Sequence, residues 1–165
     1  MIPFLDQQPG LNYRIYVVNQ TDELPFNRAK LLNVGFVESM VDFNWTCLIF
    51  HDIDLLPLNT TNNYTCSDRP LHMSARINIF DYKVPYAGIF GGVSALTPQH
   101  FTLVNGFSNL FWGWGGEDDD MWYRIHHHGL HIDRLQDTGF YFMIKHADEK
   151  KSAERFSMVN QGKTR

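Results

Sequence analysis

Two acidic stretches hold the residues that could do chemistry in this chain. In the first, Asp52 and Asp54 follow the apolar run 47–50, which is too short for a typical helix and predicts a buried strand. Carboxylates two residues apart point to the same side of an extended chain, and open α/β sheets bind ligands beyond the carboxyl ends of their strands. Because Mg²⁺ and Mn²⁺ prefer oxygen ligands, the pattern indicates metal-assisted binding of a nucleotide diphosphate. A turn or a helix cap made by Asp would leave the same pattern.

Residues 111–120 form the second stretch, which combines two tryptophans, three glycines and four consecutive acids. Trp112 and Trp114 offer flat apolar faces of the kind that stack on sugar rings and bases. Gly115 and Gly116 allow the backbone to approach a ligand closely. Together these features favour a ligand-binding site.

A helical pattern begins at Glu117 and is predicted to stop at Gly129. It places Asp118 to Asp120 in the first turn, where the helix dipole favours negative charge and is expected to lower the pKa of Asp118. Stabilisation of the helix start is the simpler explanation of these acids. It does not explain the tryptophans and the glycine pair immediately before them.

The composition is that of a globular protein, and the sequence shows no obvious targeting signal. At 165 residues it fits a single domain, 1–165, and 44% of the residues are hydrophobic. The net charge is −4 and no basic run occurs, so nucleic acid is not an indicated partner. No apolar stretch reaches the length of a membrane span, and the N-terminus does not resemble a signal peptide.

Two features nevertheless point to the secretory pathway. Four N-glycosylation sequons occur close together, at Asn19, Asn44, Asn59 and Asn63. The two cysteines, Cys47 and Cys66, are separated by a turn-rich loop and could form a disulfide or remain as buried thiols. Because a secreted chain should carry an address, we expect this chain to be a piece of a longer one.

The rest of the chain alternates predicted strands and helices, which indicates an α/β fold. Helices are predicted over 26–40 and from 97–99 onward, the latter with Thr97 as N-cap and Pro98 at the first helical position. Strands are predicted over 13–18, 71–80 and 138–145, and residues 84–96 are predicted to be a mobile turn that enters a buried strand. From residue 147 onward we expect loop or frayed helix.

Some basic residues allow more than one interpretation. Arg28 and Lys30 near a helix start oppose the helix dipole, which fits either an anionic ligand or simple surface placement. The three consecutive histidines 126–128 point in different directions around a helix, so we interpret them as solvated surface rather than as metal ligands. His146 follows a predicted strand, where a lone histidine is usually structural.

Four blocks of the sequence together resemble the β1,4-galactosyltransferase family, in that family's order. The blocks are residues 26–36, 52–57, 90–95 and 112–120, and the resemblance covers roughly residues 12–160. It implies a GT-A fold, a Rossmann-like α/β domain, in a Golgi-lumenal type II membrane protein. It also implies inverting, manganese-dependent transfer of galactose from UDP-galactose to N-acetylglucosamine or a related acceptor such as glucose.

The resemblance also implies roles for individual residues. The Mn²⁺ ligands would be Asp54, Met143 and His146. The uridine nucleotide would be held by Phe26, Arg28, Asp52 and Ile53, with Trp114 between donor and acceptor. Asp118 would be the catalytic base, and Glu117 and Asp119 would lie near the acceptor sugar. The acceptor pocket would include Tyr86, Gly115, Gly116, Arg155 and Phe156, and Cys47 would pair with Cys66.

Two departures from the family pattern carry expectations of their own. The family's first strand, which ends in a Pro-Phe-Arg-Asn-Arg-type motif, is absent here, as are the membrane anchor and the last part of the domain. A sheet without that strand exposes an edge. Ile89 stands where galactose-transferring members carry tyrosine beside the donor's C2 group, which predicts UDP-N-acetylgalactosamine as the preferred donor.

Two alternatives remain open from the sequence. Phosphatases of the haloacid-dehalogenase type also place Asp-x-Asp after a hydrophobic strand and would form a phosphoaspartate at Asp52. They carry the motif on their first strand, however, and have no need of residues 112–120, the Trp-Gly block. A glycan-binding protein that has lost catalysis would bind the acceptor sugar without manganese-dependent affinity for UDP.

Overall fold

Two small β-sheets and the helices packed around them form the computed structural model, which describes residues 1–147 and 151–162. The α-helices are α1 (Ile2–Leu5), α2 (Arg28–Asp42), α3 (Pro98–Leu103), α4 (Glu117–His127) and α5 (Arg155–Gly162). The strands are β1 (Leu48–His51), β2 (Leu55–Pro57), β3 (Leu71–His72), β4 (Arg76–Ile77), β5 (Val93–Leu96), β6 (Asp133–Arg134) and β7 (Phe140–Met143). A short 3-10 helix, Asn78–Phe80, follows β4.

The helix starts agree with the sequence because local signals define them. The side chain of Asn27 caps α2 by accepting a hydrogen bond from a backbone amide of the first turn. Thr97 and His100 cap α3 reciprocally. Helix α4 begins after Gly116 and is followed by Gly129, both with positive φ.

The larger sheet has the strand order β1-β5-β3-β6. Strand β5 is antiparallel to both of its neighbours, whereas β3 and β6 are parallel, with His72 opposite Arg134. The fully buried β5 lies between β1 and β3, so β1 delivers the residues that follow it to one end of this sheet.

The smaller sheet has the order β2-β7-β4. Leu55 pairs with Met143 in the antiparallel ladder between β2 and β7. The amide of Ile144 extends that ladder by donating to the carbonyl of Asp54 at 2.8 Å. Register therefore brings the residues after β7 beside the Asp-x-Asp motif.

Two apolar clusters hold these layers together. One packs Leu55, Tyr64, Met73 and Tyr141 between the two sheets. The other fastens helices α2, α3 and α4 to β1 and β5; its buried members are Ala29, Phe50, Phe90, Leu96, Phe101, Val104, Phe107, Met121 and Ile125. None of the described helices is long and apolar enough to cross a membrane.

Two predicted strands differ from the structure, and the segment predicted as loop or frayed helix contains a helix. Residues 13–18 form no ladder; instead, Arg14 and Tyr16 bind Asp42 at the end of α2, and Val17 is largely exposed. The single strand predicted over 71–80 is two short strands, because the chain leaves one sheet after His72 and joins the other. In the C-terminal segment, the described residues 155–162 form α5.

Candidate active site

Arg28 joins three elements at the centre of the site. It lies at the first position of α2; its Nε donates to Oδ1 of Asp52 at 2.9 Å, and its Nη1 lies 3.4 Å from Oε1 of Glu117. Burial opposes the charge on Arg28, but the two carboxylates outweigh it and raise its pKa, so it stays a cation. Arg28, for which the sequence allowed either an anionic ligand or surface placement, therefore links the end of β1 to the start of α4.

The Asp-x-Asp motif is a turn rather than an extended segment. The amide of Leu55 donates to the carbonyl of Asp52 at 3.2 Å, which closes the turn, and Ile53 is 95% exposed at its tip. The two carboxylates have different partners: Asp52 contacts Arg28, and Asp54 contacts His146. The expectation that the motif is an extended segment was wrong, because residues 53 and 54 form a turn.

Asp118 in the first turn of α4 has a raised pKa, contrary to the expectation from the helix dipole. Burial is the main cause, the neighbouring Glu117 and Asp119 add to it, and Arg28 offsets part of it, which leaves a pKa of about 7. A carboxylate with this pKa can take up a proton near neutral pH, as a general base must.

The segment 86–92 forms the wall opposite α4. The hydroxyl of Tyr86 lies near the acids at the start of α4, and burial together with Asp118 and Asp119 raises its pKa, so Tyr86 keeps its proton. Ile89 is buried in this segment. Gly91 lies against Asp118, since a Cβ built on Gly91 would stand 2.7 Å from Oδ2 of that carboxylate.

Asp54 and His146 form a carboxylate–imidazole pair, with Oδ2 and Nε2 3.1 Å apart. Nδ1 of His146 contacts the carbonyl of Ala147 at 2.7 Å and must donate there, because a carbonyl only accepts. In a neutral imidazole, the lone pair of Nε2 then points at the Asp54 carboxylate, and the two acceptors repel each other. The contact becomes favourable when both bind one cation or when the ring is protonated.

This donor set fits a divalent metal such as Mn²⁺. A carboxylate oxygen and an imidazole nitrogen already face each other, and Met143, which pairs with the residue after Asp54, would add a thioether. No group of three or more His, Cys, Asp and Glu side chains that could hold a metal occurs in the described ranges. A complete coordination sphere would therefore need Met143 or oxygens of a bound nucleotide.

The Trp-Gly block meets α5 at the open side of the site. The backbone of Trp114 pairs with Lys151 and accepts a hydrogen bond from the amide of Ser152 at 3.0 Å. Gly115 and Gly116 take φ values of +103° and +99°, and the Arg155 side chain lies over both of them. The guanidinium of Arg155 in turn covers the ring of Phe156 at 4.3 Å, so the expected acceptor-pocket residues of this block are neighbours.

Phe26 and Trp114 expose their rings, at 57% and 54% respectively. The carbonyl of Phe26 accepts a hydrogen bond from the amide of Gly113 at 2.7 Å, which ties the start of α2 to the Trp-Gly block. Of the three consecutive histidines, His126 stacks on Trp122, and the other two are exposed.

A buried polar network supports the Asp-x-Asp turn from behind. His51 contacts the carbonyl of Asp52 at 2.7 Å and the hydroxyl of Tyr64 at 2.9 Å. Tyr64 contacts the hydroxyl of Tyr141, which also accepts a hydrogen bond from Asn62. Tyr64 and Asn62 belong to the loop closed by the Cys47–Cys66 disulfide, which the structure contains.

Sequence reasoning missed the residues that hold the segment 86–92. Arg134 and His72 contact its backbone carbonyls, and Ser74 contacts the same backbone. A strand was predicted around His72 and Ser74, but the contact of these residues and of Arg134 with the segment 86–92 is long-range, so no local signal could have identified it.

Two family models match the sequence. One, described as the N-terminal region of glycosyl transferase group 7, matches residues 1–67, and another, described as the N-terminal domain of galactosyltransferase, matches residues 71–147. The chain is 46% identical over 168 residues to mouse (Mus musculus) β-1,4-galactosyltransferase 6, covering 100% of this chain and 44% of that protein. It is 51% identical over 149 residues to the rat (Rattus norvegicus) β-1,4-galactosyltransferase 4, covering 90% of this chain and 43% of that protein.

Solved structures similar to this chain are also β1,4-galactosyltransferases. The catalytic domain of Drosophila β1,4-galactosyltransferase 7 in complex with xylobiose superposes with a TM-score of 0.81 at 33% identity, covering 96% of this chain and 70% of that one. A mutant of the Drosophila enzyme, solved with manganese, UDP-Gal and xylobiose, has a TM-score of 0.81 at 32% identity, covering 96% of this chain and 69% of that one. The chain thus spans less than half the length of the curated relatives, but about 70% of these solved domains.

Proposed function

Since this chain belongs to the β1,4-galactosyltransferase family, with a GT-A fold, we propose that it forms the active site of an inverting glycosyltransferase. It would transfer a sugar from a UDP-sugar to the 4-hydroxyl of a terminal N-acetylglucosamine or glucose. One observation carries the proposal: Arg28, Asp52 and Glu117 converge beside Asp118, a carboxylate with a pKa near neutrality.

The proton chemistry follows from the side chains around Asp118. The acceptor hydroxyl attacks the anomeric carbon from the face opposite the leaving UDP, which inverts the configuration, and Asp118 takes up the hydroxyl proton. Tyr86 and Asp119 lie beside that carboxylate and would orient the acceptor. The ion pair between Glu117 and Arg28 fixes the position of this cation relative to the base, Asp118.

The donor side of the site would bind the UDP moiety. The exposed residues Phe26 and Ile53 offer apolar surface to the uracil, and Arg28 with Asp52 fixes the polar part of the nucleotide site. Trp114, Gly115, Gly116, Arg155 and Phe156 would line the acceptor side. Bound Mn²⁺, held by Asp54, His146 and Met143, would neutralise the charge of the leaving diphosphate.

The preferred donor is proposed to be UDP-N-acetylgalactosamine rather than UDP-galactose. The support is Ile89, a buried aliphatic residue where a larger tyrosine would occupy the space beside the donor's C2 substituent. An N-acetyl group is bulkier than a hydroxyl, so the smaller wall favours the N-acetyl donor.

The proposed location is the Golgi lumen, as a type II membrane protein. The disulfide between Cys47 and Cys66 is in keeping with an oxidising compartment.

The direct test measures manganese-dependent transfer to N-acetylglucosamine from each of the two donors. The chain is assayed beside a version extended to the full length of the curated relatives that it matches. Transfer from the N-acetyl donor supports both the reaction and the donor choice, and activity in the extended version alone would assign the deficit to segments outside residues 1–165. Acceptor binding without any manganese-dependent affinity for UDP in either version would contradict the proposal and identify a non-catalytic glycan-binding protein. The phosphohydrolase alternative is overturned by the family membership.

A further inference from the structure

The backbone of the segment 86–92 is held by side chains from the neighbouring strands. Arg134 donates from Nη1 to the carbonyl of Ile89 at 2.8 Å and from Nη2 to the carbonyl of Ala87. His72 contacts the carbonyl of Gly91 through Nε2 at 3.0 Å. Three alternate carbonyls, at 87, 89 and 91, are therefore bound from one side by two residues.

The two residues act as one unit because the fold places them in register. His72 of β3 lies opposite Arg134 of β6 in a parallel pair, and Nη1 of Arg134 contacts Nδ1 of His72 at 2.6 Å. Since the carbonyl of Gly91 can only accept, Nε2 of His72 carries the proton and Nδ1 accepts from Arg134. Only a neutral His72 in this one tautomer satisfies all three groups.

The charge state supports this arrangement. His72 is 1% exposed, and burial together with Arg134 lowers its pKa to about 3. His72 therefore remains neutral throughout the physiological pH range. Its Nε2 stays a donor to Gly91 and its Nδ1 stays an acceptor from Arg134. Ser74 adds a second donor to the carbonyl of Gly91, at 3.2 Å, and accepts from the amide of Val93 at 2.8 Å.

The segment 86–92 carries residues that the proposed site would use to select the donor and to place the base. It carries Tyr86, which lies near Asp119, and Ile89, the proposed determinant of donor choice. Gly91, the last residue whose carbonyl is held, packs on Asp118. A small displacement of this backbone would move all three relative to the donor sugar. Misplacement of about 1 Å can change rates by as much as 100-fold.

We infer that Arg134, acting through His72 and the carbonyls of the segment 86–92, is a positioning residue that sets the donor preference expressed by Ile89. The inference rests on the proposed function. It assigns Arg134 no contact with the substrate; the guanidinium acts by fixing the backbone from which Ile89 projects.

The test compares Arg134→Met with Arg69→Met. The second variant is a matched loss of an exposed arginine that pairs with Asp133, the neighbour of Arg134 on β6, at 3.4 Å. The first readout is hydrogen exchange of the Ile89 and Val93 amides, which donate to the carbonyl of Tyr86 and to Oγ of Ser74. The second is the ratio of kcat/KM for UDP-N-acetylgalactosamine to that for UDP-galactose.

Arg134→Met is expected to speed exchange of these amides and to move the donor ratio toward unity by about 10-fold. Arg134→Lys, which keeps the charge and one donor, recovers part of the ratio and guards against a variant that fails to fold. Arg69→Met leaves both readouts unchanged. An unchanged ratio in a folded Arg134→Met protein, or an equal loss of rate with both donors, overturns the inference while the proposed function stands. Absence of transfer by both the wild-type chain and its extended version would overturn both.

Discussion

Gly91 and Asp118 are in contact across the site, such that a Cβ built on Gly91 would lie 2.7 Å from Oδ2 of Asp118. The obstructing atom is the end of a side chain, so Gly91→Ala should displace the carboxylate without disturbing the fold. We expect kcat to fall by about 10- to 100-fold with little change in the KM for the donor.

Gly88→Ala is the matched control for this substitution, because the nearest atoms to its Cβ would be 3.8 Å away. Steady-state kinetics of the two variants check the prediction. Equal activity in both would mean that the position of Asp118 does not limit the rate.

The pH dependence of the reaction should report on Asp118. Because its pKa is raised to about 7, the carboxylate is increasingly protonated below that pH and cannot accept a proton from the acceptor. We expect kcat/KM to fall about 10-fold for each pH unit below this value. A profile that stays flat from pH 8 down to pH 5 would remove Asp118 from the role of base.

The same shift predicts that Asp118→Asn stabilises the chain. Asp118 binds its proton more tightly in the folded than in the unfolded state, so ionisation costs stability as pH rises from about 4 towards 7. The inactive variant should therefore unfold at a temperature roughly 2–4 °C higher than the wild type at pH 8, the shift expected for about 1 kcal/mol. The difference should shrink at pH 5, as thermal unfolding at both values would reveal.

Ile89→Tyr should shift donor preference toward UDP-galactose. The larger side chain would occupy the space that we assign to the N-acetyl group, and a steric change of this kind alters discrimination by about 10-fold or more. Ile89→Leu, of similar volume, should keep the wild-type preference. Competition between the two donors measures the ratio, and an unchanged preference in Ile89→Tyr would sink the donor assignment.

Removal of His146 should weaken Mn²⁺ binding. Nε2 of His146 faces Asp54 at 3.1 Å, and its loss would leave the carboxylate without its nitrogen partner. We expect His146→Ala to lower Mn²⁺ affinity by at least about 10-fold. Titration calorimetry, or the electron paramagnetic resonance signal of free Mn²⁺, measures this affinity. The exposed His127 provides the control substitution, and equal affinity in both variants would exclude this pair as the metal site.

The disulfide should contribute strongly to stability. Cys47 and Cys66 are 19 positions apart, and closing a loop of this size stabilises a fold by about 3 kcal/mol. Replacing both with alanine should lower the free energy of unfolding by that order, measured in urea. The loop also carries Tyr64, so a loss much below 1 kcal/mol would mean that the His51–Tyr64–Tyr141 network holds the loop without the bridge.

Local signals predicted much of this fold, and long-range contacts account for what they missed. The strand before Asp52 and the helix start at Glu117 follow from apolar runs, caps and glycines next to them in sequence. The alternation at 13–18 is typical of a strand, but a strand also requires a partner, and the described part of the chain supplies none.

The electrostatics of the site depended on contacts that the sequence does not reveal. The helix dipole alone suggested a low pKa for Asp118, whereas burial and two adjacent acids raise it. Arg134 and His72 meet only because two very short strands, 62 positions apart, pair in parallel. No periodicity within either strand could have predicted that contact.

The contacts that build the site also determine when it can form during folding. Arg28 and Glu117 are 89 positions apart, and Asp54 and His146 are 92 apart. Non-local contacts of this kind are made only after the entropy of closing a long loop has been lost, so a high contact order delays them. We therefore expect helices such as α2 and α4 to form early and the two halves of the pocket to meet late, which makes the assembled site a kinetic marker of complete folding.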